Sequence, residues 1–299
     1  MATHACYQFS GMNEAGKRLV ALVLSFFFSL VPALTLAAES ETVPAPPAFD
    51  LKDIGSAMSR EKKVLAVNAG GILLITAWGV ANWDYGDRSP HAMDERWFSR
   101  NTKVGGADKL GHFQFNYTLT HGLSYLYEHW GYEQERAAFW GGISSFGLMG
   151  FMEAGDSFSD YGFSHEDFLM NSLGSLVGYY FYLHPEISSK IDFRVEYDFD
   201  FSKADFFTDY ENQKYLLAVK LAGFDFIENE LFKYLELHLG YYTRGYDDNP
   251  PIDREQNLYC GIGINLSRVF EKMSCKKTAK VLQYIQIPHT YLTVEEDMN

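Results

Sequence analysis

Two periodicities divide this chain. As far as about residue 190 the apolar residues come in long blocks with polar positions at helical spacing; after Ile191 they alternate with polar ones. The first pattern predicts amphipathic or buried helices and the second predicts strands. Val64 to Trp83 is apolar for about twenty residues, with Asn68 its only strongly polar member before Asn82. That length either spans a bilayer or forms the buried central helix of a domain, where Gly70, Gly71 and Gly79 would let neighbours approach. Further helices are expected over 108–130, over 133–154 and from Ser164 to Leu183. Ser164 reads as an N-cap with Asp167 as its capping-box carboxylate, Gly174 and Gly178 make a close-packing face, and His184-Pro185 ends the segment.

Beyond these helices, Phe193, Val195, Tyr197, Phe199 and Phe201 alternate with Arg194, Glu196, Asp198 and Asp200, the mark of a half-buried strand. Strands are also expected near 215–223, 231–242, 257–270 and 281–291. Five strands cannot close a transmembrane barrel, which takes about eight, and the acidic end Glu295-Glu296-Asp297 does not read as an apolar strand. The expected fold class is therefore α+β: a four-helix membrane-associated core followed by a C-terminal antiparallel β-sheet or small partial barrel. The divisions are a signal segment (1–38), a leader (39–60), a helical domain (61–190) and an antiparallel β region (191–299).

The signal segment rests on Lys17-Arg18, the apolar run Leu19–Leu36 and the small pair Ala37-Ala38, which together resemble a cleavable secretory signal; an uncleaved anchor helix is the alternative. No Cys follows that run, so no lipid-attachment cysteine stands at this boundary. Export permits disulfides, yet Cys260 and Cys275 lie at opposite ends of an expected strand and are read as two free, structural thiols. A net charge of −14 excludes the basic patches that nucleic acid requires. The 20 Tyr and 24 Phe favour a surface that meets lipid headgroups over an aromatic-rich core.

The candidate chemistry lies between Asp108 and Gly174. Asp108 and His112 are four residues apart, Glu153 and Asp156 three, and Asp167 and Asn171 four. In helices each pair shares a face. Ionisable groups inside apolar, glycine-rich helices are costly without partners, so the three faces are expected to meet as one buried cluster. The carboxylates of the second pair fall at a helix C-terminus, where the helix dipole disfavours them. The polar stripe continues past His112 to Asn116 and Thr120, and Lys109 stands beside it, to meet a phosphate or to snorkel. The long irregular stretch 84–106 is expected to line an interface or to cover the cluster.

These motifs carry a resemblance. Asp-Lys-x-x-His at 108–112, Glu-x-x-Asp at 153–156 and Gly-x-Ser-x-x-Asp-x-x-x-Asn-x-x-Gly at 162–174 are similar to a bacterial family of predicted periplasmic lipoproteins, domain of unknown function 2279. Asp209 to Tyr215 and Ile287-Pro288 are similar to longer members with a signal peptide and a strand-rich tail. A more distant likeness is to the VanZ-like membrane proteins. The resemblance implies envelope localisation and a helical core around the polar residues, with no particular activity.

Three readings of the cluster follow from its residue types. Asp108, His112, Glu153 and Asp156, with Asp167 near, either hold a divalent metal that activates water or act as general acid and base; the catalytic set would be Asp108, His112, Glu153, Asp156, Asp167 and Asn171. The natural substrate would be an envelope lipid or glycan precursor. Alternatively the same groups form a structural network that fixes helix register, or they line a cavity for a hydrophobic ligand. No phosphate-binding glycine loop, His-Glu-x-x-His, Cys-x-x-Cys or Gly-x-Ser-x-Gly occurs, so no nucleotide cofactor is expected. Membrane lipid or another envelope component is the expected partner. The expected address is the periplasmic side of the outer membrane before the inner membrane.

Overall fold

The computed structural model describes residues 58–198, 205, 207–247 and 253–298. The signal segment, all but the end of the leader, and the 199–201 end of the first expected strand lie outside the described residues. Helix α1 (Arg60–Asn82) starts at Ser59, whose Oγ accepts from Lys62 N at 3.4 Å. Helix α2 (Ala107–His129) is entered through Gly105 and Gly106, at φ +64° and +86°, values that favour glycine. Helix α3 (Gln134–Asp156) follows, and then α4 (His165–Leu183), capped by Ser164 Oγ accepting from Asp167 N at 3.2 Å. Pro185 starts the single turn α5 (Pro185–Ser188).

Helices α2, α3 and α4 pack mutually, and small residues set how closely they approach. A Cβ added to Gly174 would stand 2.3 Å from Phe113 O, and one on Gly178 would stand 3.0 Å from Tyr117 O. Backbone cannot yield as a flexible side chain can, so Gly174→Ala is expected to cost about 1–3 kcal/mol and to lower the midpoint of thermal unfolding by several degrees.

The expected four-helix core is thus three mutually packed helices with α1 laid against α3. Asn68 Nδ2 anchors α1 by donating to Tyr127 Oη at 3.2 Å and Ser144 Oγ at 2.9 Å, and Gly71 meets Leu148. Of α1 only Trp78 and Gly79 are buried, while Leu65 and Leu73 are each 70% exposed. A buried central helix is thereby overturned; α1 is long and apolar enough to cross a membrane.

The sheet contains β3 (Ile191–Tyr197), β4 (Gln213–Lys220), β5 (Leu235–Arg244), β6 (Glu255–Ile264), β7 (Ile285–Gln286) and β8 (Tyr291–Asp297), in the order β7-β3-β4-β5-β6-β8. A separate parallel bridge joins β1 (Ala92–Met93) to β2 (Phe163–Ser164). The large sheet is mixed rather than antiparallel, because β7 pairs parallel to β3. Its two edge strands, β7 and β8, are joined by residues 287–290 alone, so the sheet curls, but among the described residues those edges do not pair and no barrel closes.

Strand alternation puts Phe193 on the helices, 5.0 Å from the Phe113 ring and 5.4 Å from Tyr117. The opposite, inner face buries Asp192, Arg194 and Glu196, with Glu236 and His238 from β5. β3 alternates buried with half-buried positions as expected, but its charged residues, not its apolar ones, take the more deeply buried side.

Two expected strands are corrected. The 257–270 strand stops at Ile264, because Asn265 Oδ1 accepts from Arg268 N at 3.0 Å and starts helix α6 (Leu266–Lys272). The 281–291 strand is replaced by the end of helix α7 (Lys276–Val281), by β7 and by the start of β8, and the acidic C-terminal end belongs to β8. Cys260 and Cys275 are free, and both are exposed rather than structural.

Candidate functional site

The antiparallel run of helices brings the start of α2, the end of α3 and the start of α4 to one end of the bundle. Asp108, Lys109 and His112 come from α2, Glu153 and Asp156 from α3, and Asp167 and Asn171 from α4. The loop between α1 and α2 adds Tyr85 and Glu95.

Lys109 occupies one half of this site. Its side chain is fully buried, and Nζ lies 2.8 Å from Asp108 Oδ2, 2.9 Å from Asp167 Oδ1 and in contact with Glu95 Oε2. Burial alone would lower the pKa of Lys109, but Asp108, Asp167 and Glu95 outweigh it and hold the ammonium charged. Enclosed by carboxylates, this side chain neither snorkels nor reaches out for a phosphate.

The other half centres on His112. Nδ1 lies 3.1 Å from Asn171 Oδ1, which only accepts, so Nδ1 carries the proton and donates. In the neutral ring Nε2 then presents a lone pair, 3.8 Å from Asp167 Oδ2. One ligand atom each from His112, Glu153 and Asp167 lie within 4.8 Å of one another. Glu153 Oε1 accepts from Ser164 N at 2.7 Å, while its Oε2 is buried and has no hydrogen-bond partner among the described residues. Glu153, rather than Asp167, therefore makes the reciprocal bond to the N-cap of α4. Asp167 is left to face Lys109 and His112.

Burial shapes the charges. It pushes Glu153 up to about 8, with His112 pulling back, and Asp156 up to about 6, with Tyr85 and His112 pulling back. It also pushes Glu95 up to about 7, aided by Asp167 and opposed by Lys109. Burial would raise Asp167 as well, but His112 and Lys109 outweigh it and keep that carboxyl below its ordinary value. His112 is held above its ordinary value, because Asp167, Glu153 and Asp108 outweigh a burial that would lower it. The acidic groups Glu95, Asp108, Glu153, Asp156 and Asp167 outnumber the basic groups Lys109 and His112. Such an excess is relieved either by protons or by a bound cation.

Of the metal set Asp108, His112, Glu153 and Asp156 expected from spacing, only His112 and Glu153 share one group of potential ligands, and Asp167 joins them. Asp156 stands to one side against Tyr85. Asp108 falls in a second group, with Glu95 and Asp167, which the Lys109 ammonium already fills. Asn171 supports His112 and leads into a bonded chain: Asn171 Oδ1 also accepts from Asn116 Nδ2 at 2.5 Å, and Asn116 Oδ1 accepts from Ser145 Oγ at 2.8 Å and Ser175 Oγ at 2.9 Å.

Glu95, Tyr85 and the buried Glu166, which accepts from Arg96 N at 3.1 Å, escaped the sequence reading. The one signal for the first two was the length of the irregular stretch that carries them. For Glu166 it was a place beside Asp167 in the first turn of a helix.

Residues 94–183 match the family described as Predicted periplasmic lipoprotein (DUF2279), and that span holds every residue named at the site except Tyr85. No curated protein and no solved structure matches the chain.

Proposed function

We propose that the cluster is a divalent-cation centre in an exported, membrane-associated envelope protein, with His112 Nε2, Glu153 and Asp167 as its protein ligands. The carrying observation is the unpartnered, buried Glu153 Oε2, in a group of three ligand atoms that lie within 4.8 Å of one another. One imidazole with two carboxylates suits a borderline or hard divalent ion. A cation so held supplies Lewis-acid activation of water, the chemistry of hydrolysis. The surrounding residues prepare the site. Asn171 sets the His112 tautomer, as outer partners of metal-ligating histidines commonly do. Lys109 holds one oxygen of Asp167 and leaves the other facing His112. Asp156, pushed up to about 6 by burial, can hold or release a proton beside the centre. The substrate class we assign is an envelope lipid or glycan precursor, met at the periplasmic side of the outer membrane.

A second reading keeps the cluster as a purely structural hydrogen-bond network, and the bonded chain from Asn171 through Asn116 to Ser145 and Ser175 favours it. Thermal unfolding separates the two. With manganese or zinc at about a hundred times its dissociation constant, the parent gains about 2.7 kcal/mol, roughly 5–10 °C, and Glu153→Gln gains nothing. A parent indifferent to both ions, with His112→Ala less stable by about 3 kcal/mol, would instead support the network.

A further inference from the structure

No Asp, Glu, Lys or Arg occurs in residues 64–83, 137–152 or 168–183, the greater parts of α1, α3 and α4. Such stretches would be unremarkable in a buried core, but here their outward sides are bare. Leu73 is 70% exposed and Leu176 61%, and Trp140, Ile143, Phe146 and Leu173 are exposed beside them. Because α3 packs against both α1 and α4, these residues form one continuous apolar face across three helices. Monomeric proteins rarely leave a face of this kind to water.

The chemistry of the face points to lipid rather than to protein. A protein interface carries hydrogen bonds throughout and a charged rim, whereas the exposed positions of α3 between Phe139 and Ala154 offer only apolar groups and the Trp140 indole. At the Arg60 end the border consists of cation–aromatic pairs, with the Arg60 guanidinium 4.7 Å over the Tyr132 ring and Lys63 Nζ 5.8 Å over Trp130. Groups with an apolar body and a polar tip suit headgroup depth.

The sheet fixes the pose. It meets the helical layer chiefly through α2, which carries none of the bare face, with Phe181 of α4 also on Phe193, and it lies along α2 rather than at its end. Its contacts run from Tyr241 Oη donating to Gly105 O at 2.5 Å, through Phe193 on Phe113, to Tyr284 Oη at 2.7 Å from His121 Nδ1. That covers about 21 Å of helix length, most of a bilayer's hydrocarbon thickness. A bundle set upright across the membrane would drag the sheet, with exposed Glu255, and the attached α6, with exposed Glu271 and Lys272, to hydrocarbon depth.

We infer that the outward face of α1, α3 and α4 is the protein's membrane seat, lying flat in one leaflet with the sheet on the water side. The inference rests on the membrane association proposed above and not on the cation centre.

Flotation of the full chain with phosphatidylethanolamine–phosphatidylglycerol vesicles tests it. The parent should float, and the double variant Ile143→Glu, Leu176→Glu, with unchanged circular dichroism, should lose at least tenfold in partitioning. A parent that stays with the soluble fraction overturns the membrane association itself. A double variant that floats as well as the parent overturns only the choice of face.

Brominated lipids give a second reading on unaltered folds. Bromine placed near the headgroups should quench the parent's tryptophan fluorescence more than bromine at the bilayer centre, and Trp140→Phe should remove part of that quenching. Stronger quenching from the bilayer centre overturns the flat pose. Disulfide capture of two Ile143→Cys copies in the absence of lipid would give the face to a second copy and overturn the proposal.

Discussion

Lys109→Met should lower the free energy of unfolding by about 3–5 kcal/mol, the range for removing one partner from a buried ion pair. The replacement keeps the length of the stem and removes the ammonium. Asp108, Asp167 and Glu95 would then face one another without their shared cation, in a site where Lys109 has no exposed surface. For a domain of this size the cost corresponds to a fall of about 10 °C in the midpoint of thermal unfolding. Lys109→Arg should recover only part of it, since a planar fork cannot occupy the place of a compact ammonium between three carboxylates. Stability equal to the parent's in Lys109→Met would mean that the carboxylates are protonated there and need no cation.

Arg194→Met is expected to be comparably damaging, in the sheet. Arg194 donates from Nη1 to Glu236 Oε1 at 2.6 Å and to Gln286 Oε1 at 2.9 Å, and from Nη2 to Asp192 Oδ2 at 2.9 Å and Glu236 Oε2 at 3.0 Å. One guanidinium so ties β3 to its neighbour β7 and, across β4, to β5, with which it shares no ladder. Burial would raise Glu236, but His238 and Arg194 outweigh it and keep that carboxyl below its ordinary value. Losing Arg194 leaves Glu236 to His238, while Lys220 Nζ still holds Asp192 Oδ1 at 2.6 Å. The remaining partners set the expectation at the lower end, about 3 kcal/mol. Chemical denaturation checks it, and the sheet signal in circular dichroism should be lost at lower denaturant than in the parent. An unchanged midpoint would mean that the inner face is wet enough to solvate both acids.

The helices were legible because their signals are local. Apolar blocks, the Ser164 cap and the break at His184-Pro185 placed α4 within a residue of its observed bounds. Spacing of four and three likewise placed His112, Glu153, Asp167 and Asn171 on faces that do converge. What spacing cannot show is which acid each base takes. Asp167 read as a capping carboxylate, yet Glu153, eleven residues before Ser164 and on another helix, reaches the Ser164 amide. Glu95 had no periodic context, since a lone acid in an irregular loop acquires meaning only once the chain folds over the site.

In the sheet region alternation was read correctly as strand but not as topology. Leu266, Val269 and Phe270 after Asn265 have helical spacing behind a capping residue, a signal hidden by the preceding strand pattern. The acidic run Glu295-Glu296-Asp297 argued against a strand; on an edge strand, charge is what discourages pairing with another chain.

The cation centre itself is tested most directly by elemental mass spectrometry. The protein should be purified in mild detergent without chelator, beside His112→Ala. The account predicts close to one divalent metal per chain in the parent and almost none in the variant. Equal metal in both, or none in the parent, would contradict it and leave His112, Glu153 and Asp167 as a structural network.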